Sequence, residues 1–193
     1  MTLTITSMNF QLLIEEALEL RRLNHFDKAE EVLTTAIKLP MSISEAFLTH
    51  EMRGLGRMVL RNPLGAIADF GVARQIRPSE TRIYSHLGYA HFLVGNYAQS
   101  KQFYTQAIER AENPDAMTYV RRAEANFMLN EIQLATEDCN TAVFIDPNEG
   151  EAYYSRSLIQ LRMGKFQKAQ RDLTNARIRF QALGVSDGCP FHR

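Results

Sequence analysis

Small residues return to the same three columns five times along this 193-residue chain, and that recurrence limits the fold more than any other feature of the sequence. When the segments beginning at His25, Asn62, Asn96, Glu131 and Lys165 are aligned, one column reads Ala29, Ala66, Ser100, Ala135 and Ala169. Seven residues on, a second reads Ala36, Ala73, Ala107, Ala142 and Ala176. Twelve residues before the first, a third reads Ala17, Gly54, Gly88, Ala123 and Ser157. Successive units are spaced by 37, 34, 35 and 34 residues. Helix axes approach closely only where side chains are small, so the columns predict helix crossings in an array of repeated units. Such units bury their apolar faces by stacking on one another.

The punctuation divides each unit into two helices. Breaks are expected at Asn24-His25, Asn62-Pro63, Gly95-Asn96, Asn130-Glu131 and Gly164-Lys165, residues suited to ending one helix and starting the next. Asn62 before Pro63 fits an N-cap with proline at the first helical position. Ser42 to Glu45 and Asn148 to Glu151 have capping-box spacing. Pro40, Pro78, Pro114 and Pro147 fall between units, where a helix must stop. Only LTIT at residues 3–6 hints at a strand, and residues 1–9 read as a loose arm.

Composition narrows the function classes. With 45% hydrophobic and 23% charged residues, the chain has the makeup of an ordinary soluble globular protein. Cys139 and Cys189 are too few for a disulfide framework, and MTLTITSMNF lacks the features of a secretion signal. No apolar run is long enough to span a membrane, so a cytoplasmic protein with reduced thiols is expected. The formal net charge of zero argues against nucleic acid as a partner. The charge is nonetheless segregated: residues 1–51 carry a net −4, 52–82 a net +4, 83–151 a net −6 and 152–193 a net +6.

These features resemble the tetratricopeptide repeat (TPR) family, whose 34-residue unit has small residues at positions 8, 20 and 27, and often aromatics at 4, 17 and 24 and proline at 32. Tyr84, Tyr119 and Tyr153 stand at position 4, and Phe26, Tyr97 and Phe166 at position 17. Phe70 and Tyr104 stand at position 24, and Pro78 and Pro147 at position 32. On that register the repeats begin near Phe10, Phe47, Thr81, Ala116 and Gly150, forming a domain over residues 10–183 with a tail over 184–193. The resemblance implies an all-α fold, a right-handed superhelical solenoid of about five hairpins in which the first helix of each lines a concave groove.

The register also explains a recurring pair of opposed charges. Arg122 and Asp138 occupy positions 7 and 23, each eight residues from the turn at position 15, so an antiparallel hairpin sets them at one height. Arg53 faces Asp69 and Arg156 faces Asp172 in the same way, whereas the other two repeats have Glu16 with Val32 and Leu87 with Phe103. Both partners are present or both absent, as a desolvated ion pair requires, because one member alone would be a buried unpaired charge. A catalytic pair would not normally occur three times, so these six residues are read as structural.

By the same resemblance, groove positions carry Met52, Leu55, Arg82, His86, Tyr89, Phe92, Val120, Arg121, Glu124, Phe127, Tyr154 and Leu158, together with Ile14, Leu18 and Met58. Methionines and aromatics with a few polar groups suit an apolar or amphipathic peptide. Family members that hold acidic chaperone tails use a carboxylate clamp. At its five positions this chain has Glu51, Leu55, His86, Met117 and Arg121, of which only Arg121 matches. The expected function is a non-enzymatic adaptor or chaperone holding a protein or peptide partner. The alternative is a self-assembling scaffold that uses complementary charges and an uncapped last helix.

No catalytic, cofactor or metal constellation is legible. His86 and His91 are five residues apart, about 140° around a helix, and cannot face one metal. Cys139 falls at a core position, and Cys189 and His192 lack neighbours that would activate a thiol. The tail is expected either to fold back on the last helix or to enter a neighbouring molecule, with Phe191 as its anchor.

Overall fold

A computed structural model describes residues 2–182, and side chains from residue 9 onward. All its regular secondary structure is helical: α1 (Thr2–Arg22), α2 (Phe26–Ala36), α3 (Ile43–Val59), α4 (Pro63–Ile76), α5 (Thr81–Leu93), α6 (Tyr97–Arg110), α7 (Ala116–Met128), α8 (Ile132–Ile145), α9 (Gly150–Arg162) and α10 (Phe166–Ala182). The chain divides between Asn96 and Tyr97 into two compact units, one holding α1 to α5 and the other α6 to α10. In the first, α1 packs on α2 and α3 on α4; in the second, α7 packs on α8 and α9 on α10.

All fifteen small residues of the three columns are buried. Their size is required where it can be tested: a Cβ on Gly54 would stand 2.6 Å from the Phe70 ring. Side chains of that kind at the crossing would drive α3 and α4 apart.

Each helical break is closed by one residue in the left-handed region: Asn24, Arg61, Gly95, Asn130 and Gly164, with φ from 57° to 78°. All five occupy position 15. Glycine and asparagine tolerate this conformation, whereas arginine is strained there. In the second repeat the turn residue is therefore Arg61, one place earlier than the Asn62-Pro63 break expected. Asn62 is the N-cap, as expected, accepting from Gly65 N at 3.0 Å, with Pro63 at the first helical position.

The Ser42–Glu45 capping box forms in both directions, at 2.7 and 3.2 Å. The expected box at Asn148 does not. Glu149 is the N-cap of α9 and accepts from Glu151 N, while Asn148 N is turned toward Asp146 Oδ1 at 2.8 Å. Asp115 caps α7 by accepting from Thr118 N at 2.6 Å. Residues 2–9, expected as an arm, continue α1, because extending a formed helix adds one backbone hydrogen bond per residue fixed. The tail over 184–193 lies outside the described residues.

Candidate functional site

Three bidentate ion pairs stand between the helices of the second, fourth and fifth repeats. Arg53 donates to Asp69 at 3.0 and 2.7 Å, Arg122 to Asp138 at 3.0 and 2.7 Å, and Arg156 to Asp172 at 2.8 and 2.9 Å. The aspartate side chains are 2–8% exposed and the arginines 13–20%. Burial alone would raise the Asp69 carboxyl, but hydrogen bonds from His50 and Arg53 and the charges of Arg53 and Arg57 hold it below the usual range.

Each pair belongs to a larger network that sequence reasoning missed. Position 11 supplies another donor to the aspartate: Arg57 to Asp69, Asn126 to Asp138 and Gln160 to Asp172, all at 2.9 Å. Position 25 of the preceding repeat accepts the arginine's remaining N–H: Thr34 at 3.0 Å, Thr105 at 3.4 Å and Asn140 at 2.9 Å. Where the arginine is replaced by Leu87, that acceptor position is Gly71. The signal was therefore present in the sequence as a third co-occurring column. These networks tie hairpins together and leave no reacting group facing solvent.

An apolar recess of the first unit lies between α1 and α3. It is a groove of about 440 Å³ walled by Phe10, Ile14, Leu18, Leu48, Thr49 and Met52, with Gln11, Glu15 and Glu45 at its edges. Of the groove residues expected from the sequence, Ile14, Leu18 and Met52 line it. Phe10, Leu48 and Glu45 were not among them, although Leu48 stands at a groove position of the register.

The other expected residues divide by environment. Leu55 and Phe92 are half-buried; Tyr89 is 41% exposed. Arg82 donates to Glu51 at 2.6 and 3.1 Å and to Glu80 at 2.9 Å. His86 stacks on Phe70 with ring centroids 5.1 Å apart, and burial pulls its pKa below the ordinary value. In the second unit Val120 is fully buried among Ala116, Ala142 and Ala152, so it is core and offers no surface to a ligand. Phe127 packs on the cluster of Ala123, Ala135, Cys139 and Ile159. Tyr154 packs against Tyr153, Ala176 and Phe180, and Leu158 is 38% exposed.

Arg121 is held between two carboxylates, Glu124 at 3.0 Å and Glu151 at 3.1 Å. Burial alone would lower its pKa, but those two charges raise it. Glu124 also accepts from Ser155 Oγ at 3.4 Å. The single match to the carboxylate clamp is thus already neutralised by the protein's own acids.

Among the described residues no group of three or more histidines, cysteines or acids could hold a metal ion. Burial pushes the Cys139 thiol up to about 12, so it stays protonated and unreactive. No described helix is long and apolar enough to cross a membrane.

A family model described as the tetratricopeptide repeat matches residues 81–114, one unit of the register. The chain is 28% identical over 96% of its length to a DnaJ homolog subfamily C member 7 homolog from Dictyostelium discoideum, and spans 36% of that protein. A crystal structure of MamA matches with a TM-score of 0.75 at 19% identity, covering 87% of this chain and 96% of that one. The structure of YrrB, described as a TPR protein with an unusual peptide-binding site, matches with a TM-score of 0.69 at 17% identity, covering 90% and 87%. One repeat unit thus matches the tetratricopeptide repeat in sequence, and the fold along most of the chain is that of a tetratricopeptide repeat protein.

Proposed function

We propose that this chain is a non-enzymatic protein-interaction module, an adaptor or chaperone of the cytoplasm, that holds an apolar or amphipathic peptide segment of a partner protein. The observation that carries the reading is the groove between α1 and α3, where five apolar side chains form the walls and Glu15 and Glu45 the edges. Placing one leucine or phenylalanine of a ligand there is worth about 2 kcal/mol, so about four such anchors supply the roughly 8 kcal/mol of micromolar binding. The name of the Dictyostelium relative and the description of YrrB support the same class of function. Arg121 and Arg82, each already paired with glutamates, make poor receptors for an acidic chain end. That favours apolar recognition over carboxylate capture.

Panning a random dodecapeptide phage library on the purified protein tests this. Recovered peptides should repeat apolar residues at helical spacing. Leu48→Asp or Met52→Asp should weaken them at least tenfold without lowering the melting temperature. Peptides indifferent to both substitutions would place binding elsewhere.

A further inference from the structure

The last hairpin of the second unit repeats, on its outer face, the pattern by which the hairpin before it receives a helix. In that internal interface Ile159 of α9 is buried against Ala123, Ala135 and Cys139, with Phe127 and Ile132 packed around it. Three residues earlier on α9, Arg156 donates to Asn140 Oδ1 of α8 at 2.9 Å. The counterparts of these six acceptors one repeat later are Ser157, Ala169, Leu173, Leu161, Phe166 and Thr174. Their apolar character is kept: Ser157 and Ala169 are small, Leu161 and Phe166 are large, Leu173 stands larger in the place of Cys139, and Thr174 supplies a side-chain oxygen.

Ser157 and Ala169 stay buried, but the three larger apolar residues are exposed. Cys139 is fully buried, whereas Leu173 is 39%, Leu161 40% and Phe166 69% exposed. The Thr174 hydroxyl donates to Gln170 O at 3.0 Å, which leaves its oxygen able to accept. Threonine plays that acceptor role twice inside the molecule, Thr34 toward Arg53 and Thr105 toward Arg122.

We infer that the α9–α10 face is a docking site for one helix of another protein, carrying an arginine three residues before a small or apolar residue, as α9 carries Arg156 and Ile159. The register argues against two other occupants. The residues that follow α10 place Pro190 and Arg193 at those two positions, and proline lacks the donor and interrupts a helix. The first helix of a second copy places Glu16 and Glu19 there, and Glu19 is already paired with Arg22 at 2.6 Å. Arg162, Lys165, Lys168 and Arg171 are exposed around the face, so the remaining surface of the docked helix is acidic.

The probe is a fluorescein-labelled peptide of residues 149–163, the internal donor helix, titrated with the full chain and read by anisotropy. Saturable binding with Kd on the order of 10–100 μM is expected. It should weaken at least tenfold with Leu173→Asp or Phe166→Asp in the protein, or with Ile159→Asp in the peptide. Leu48→Asp, in the α1–α3 groove, should leave it unchanged. No binding at 1 mM peptide (roughly a tenfold excess over the weaker limit) would overturn the inference, as would binding that Leu48→Asp abolishes and Leu173→Asp spares. A gain of tenfold or more on removing residues 184–193 would assign the face to the chain's own tail. A dimer that dissociates in the Phe166→Asp variant would assign it to a second copy.

Discussion

Truncating Arg122 to alanine isolates what the repeated ion pair does for the fold. The substitution removes both charge-assisted bonds to Asp138 and the bond to Thr105, leaving a carboxylate 8% exposed with only Asn126 donating to it. Breaking a buried pair by removing one partner costs about 3 kcal/mol, most of it the uncompensated charge. For a chain of this size that is a fall of about 6–12 °C in melting temperature. The restoring substitution is written in the molecule: the third repeat carries Leu87 and Phe103 at the two positions, with Leu87 buried. Arg122→Leu with Asp138→Phe should therefore recover most of the loss. Urea denaturation of wild type, both single variants and the double completes the cycle, with an expected coupling of about 2 kcal/mol. A coupling near zero, or a double variant as unstable as the sum of the singles, would refute the view that the pair is kept for mutual compensation.

Three further outcomes follow from local geometry. Gly54→Ala should destabilise by about 1–3 kcal/mol through overpacking against Phe70, while Gly56→Ala, whose Cβ meets nothing within 4 Å, should stabilise by about 0.5–1 kcal/mol in urea melts. Arg61, left-handed at φ 57°, should gain about 0.5–1 kcal/mol when replaced by glycine or by the asparagine that Asn24 and Asn130 place at the same turn position. Stability should fall on acidification in two stages. His86 and His91 are depressed by burial, so the unfolded chain binds protons more readily and stability declines as pH drops below about 6.5. Asp69 is held low, so its contribution is complete above about pH 4 and is lost as pH falls through its folded value. Urea midpoints from pH 8 to 3 measure both, and a flat profile between 7 and 5 would contradict the histidine stage.

The hairpins were legible because their requirements are steric and local. A Cβ either fits at Gly54 or collides with Phe70, and that test acts at every crossing, so the columns survive as pattern. Turn chemistry was less legible at Arg61, because stacked hairpins hold it in a conformation its own preference opposes. The Arg–Asp pairs could be read from position alone, but their partners at positions 11 and 25 vary between Arg, Asn, Gln and Thr and conserve only a hydrogen-bonding role. The groove was read least well. Val120 shares its groove position with Ile14, Ser85 and Tyr154, which are only partly buried, and yet is core, since helix rotation and the size of neighbours decide which side of a groove position faces outward. Phe10 and Leu48 form the groove wall because α1 and α3 leave a gap between them, a property of two helices together that neither segment encodes alone.

The central claim, that the α1–α3 groove holds a peptide, is tested most directly by NMR of 13C-methyl methionine in the presence of a panned peptide. Met52 lines the groove, whereas Met128, 48% exposed, lies in the other unit. Saturable displacement of the Met52 signal with Met128 unmoved is the predicted result. Displacement of Met128 with Met52 unmoved would contradict it.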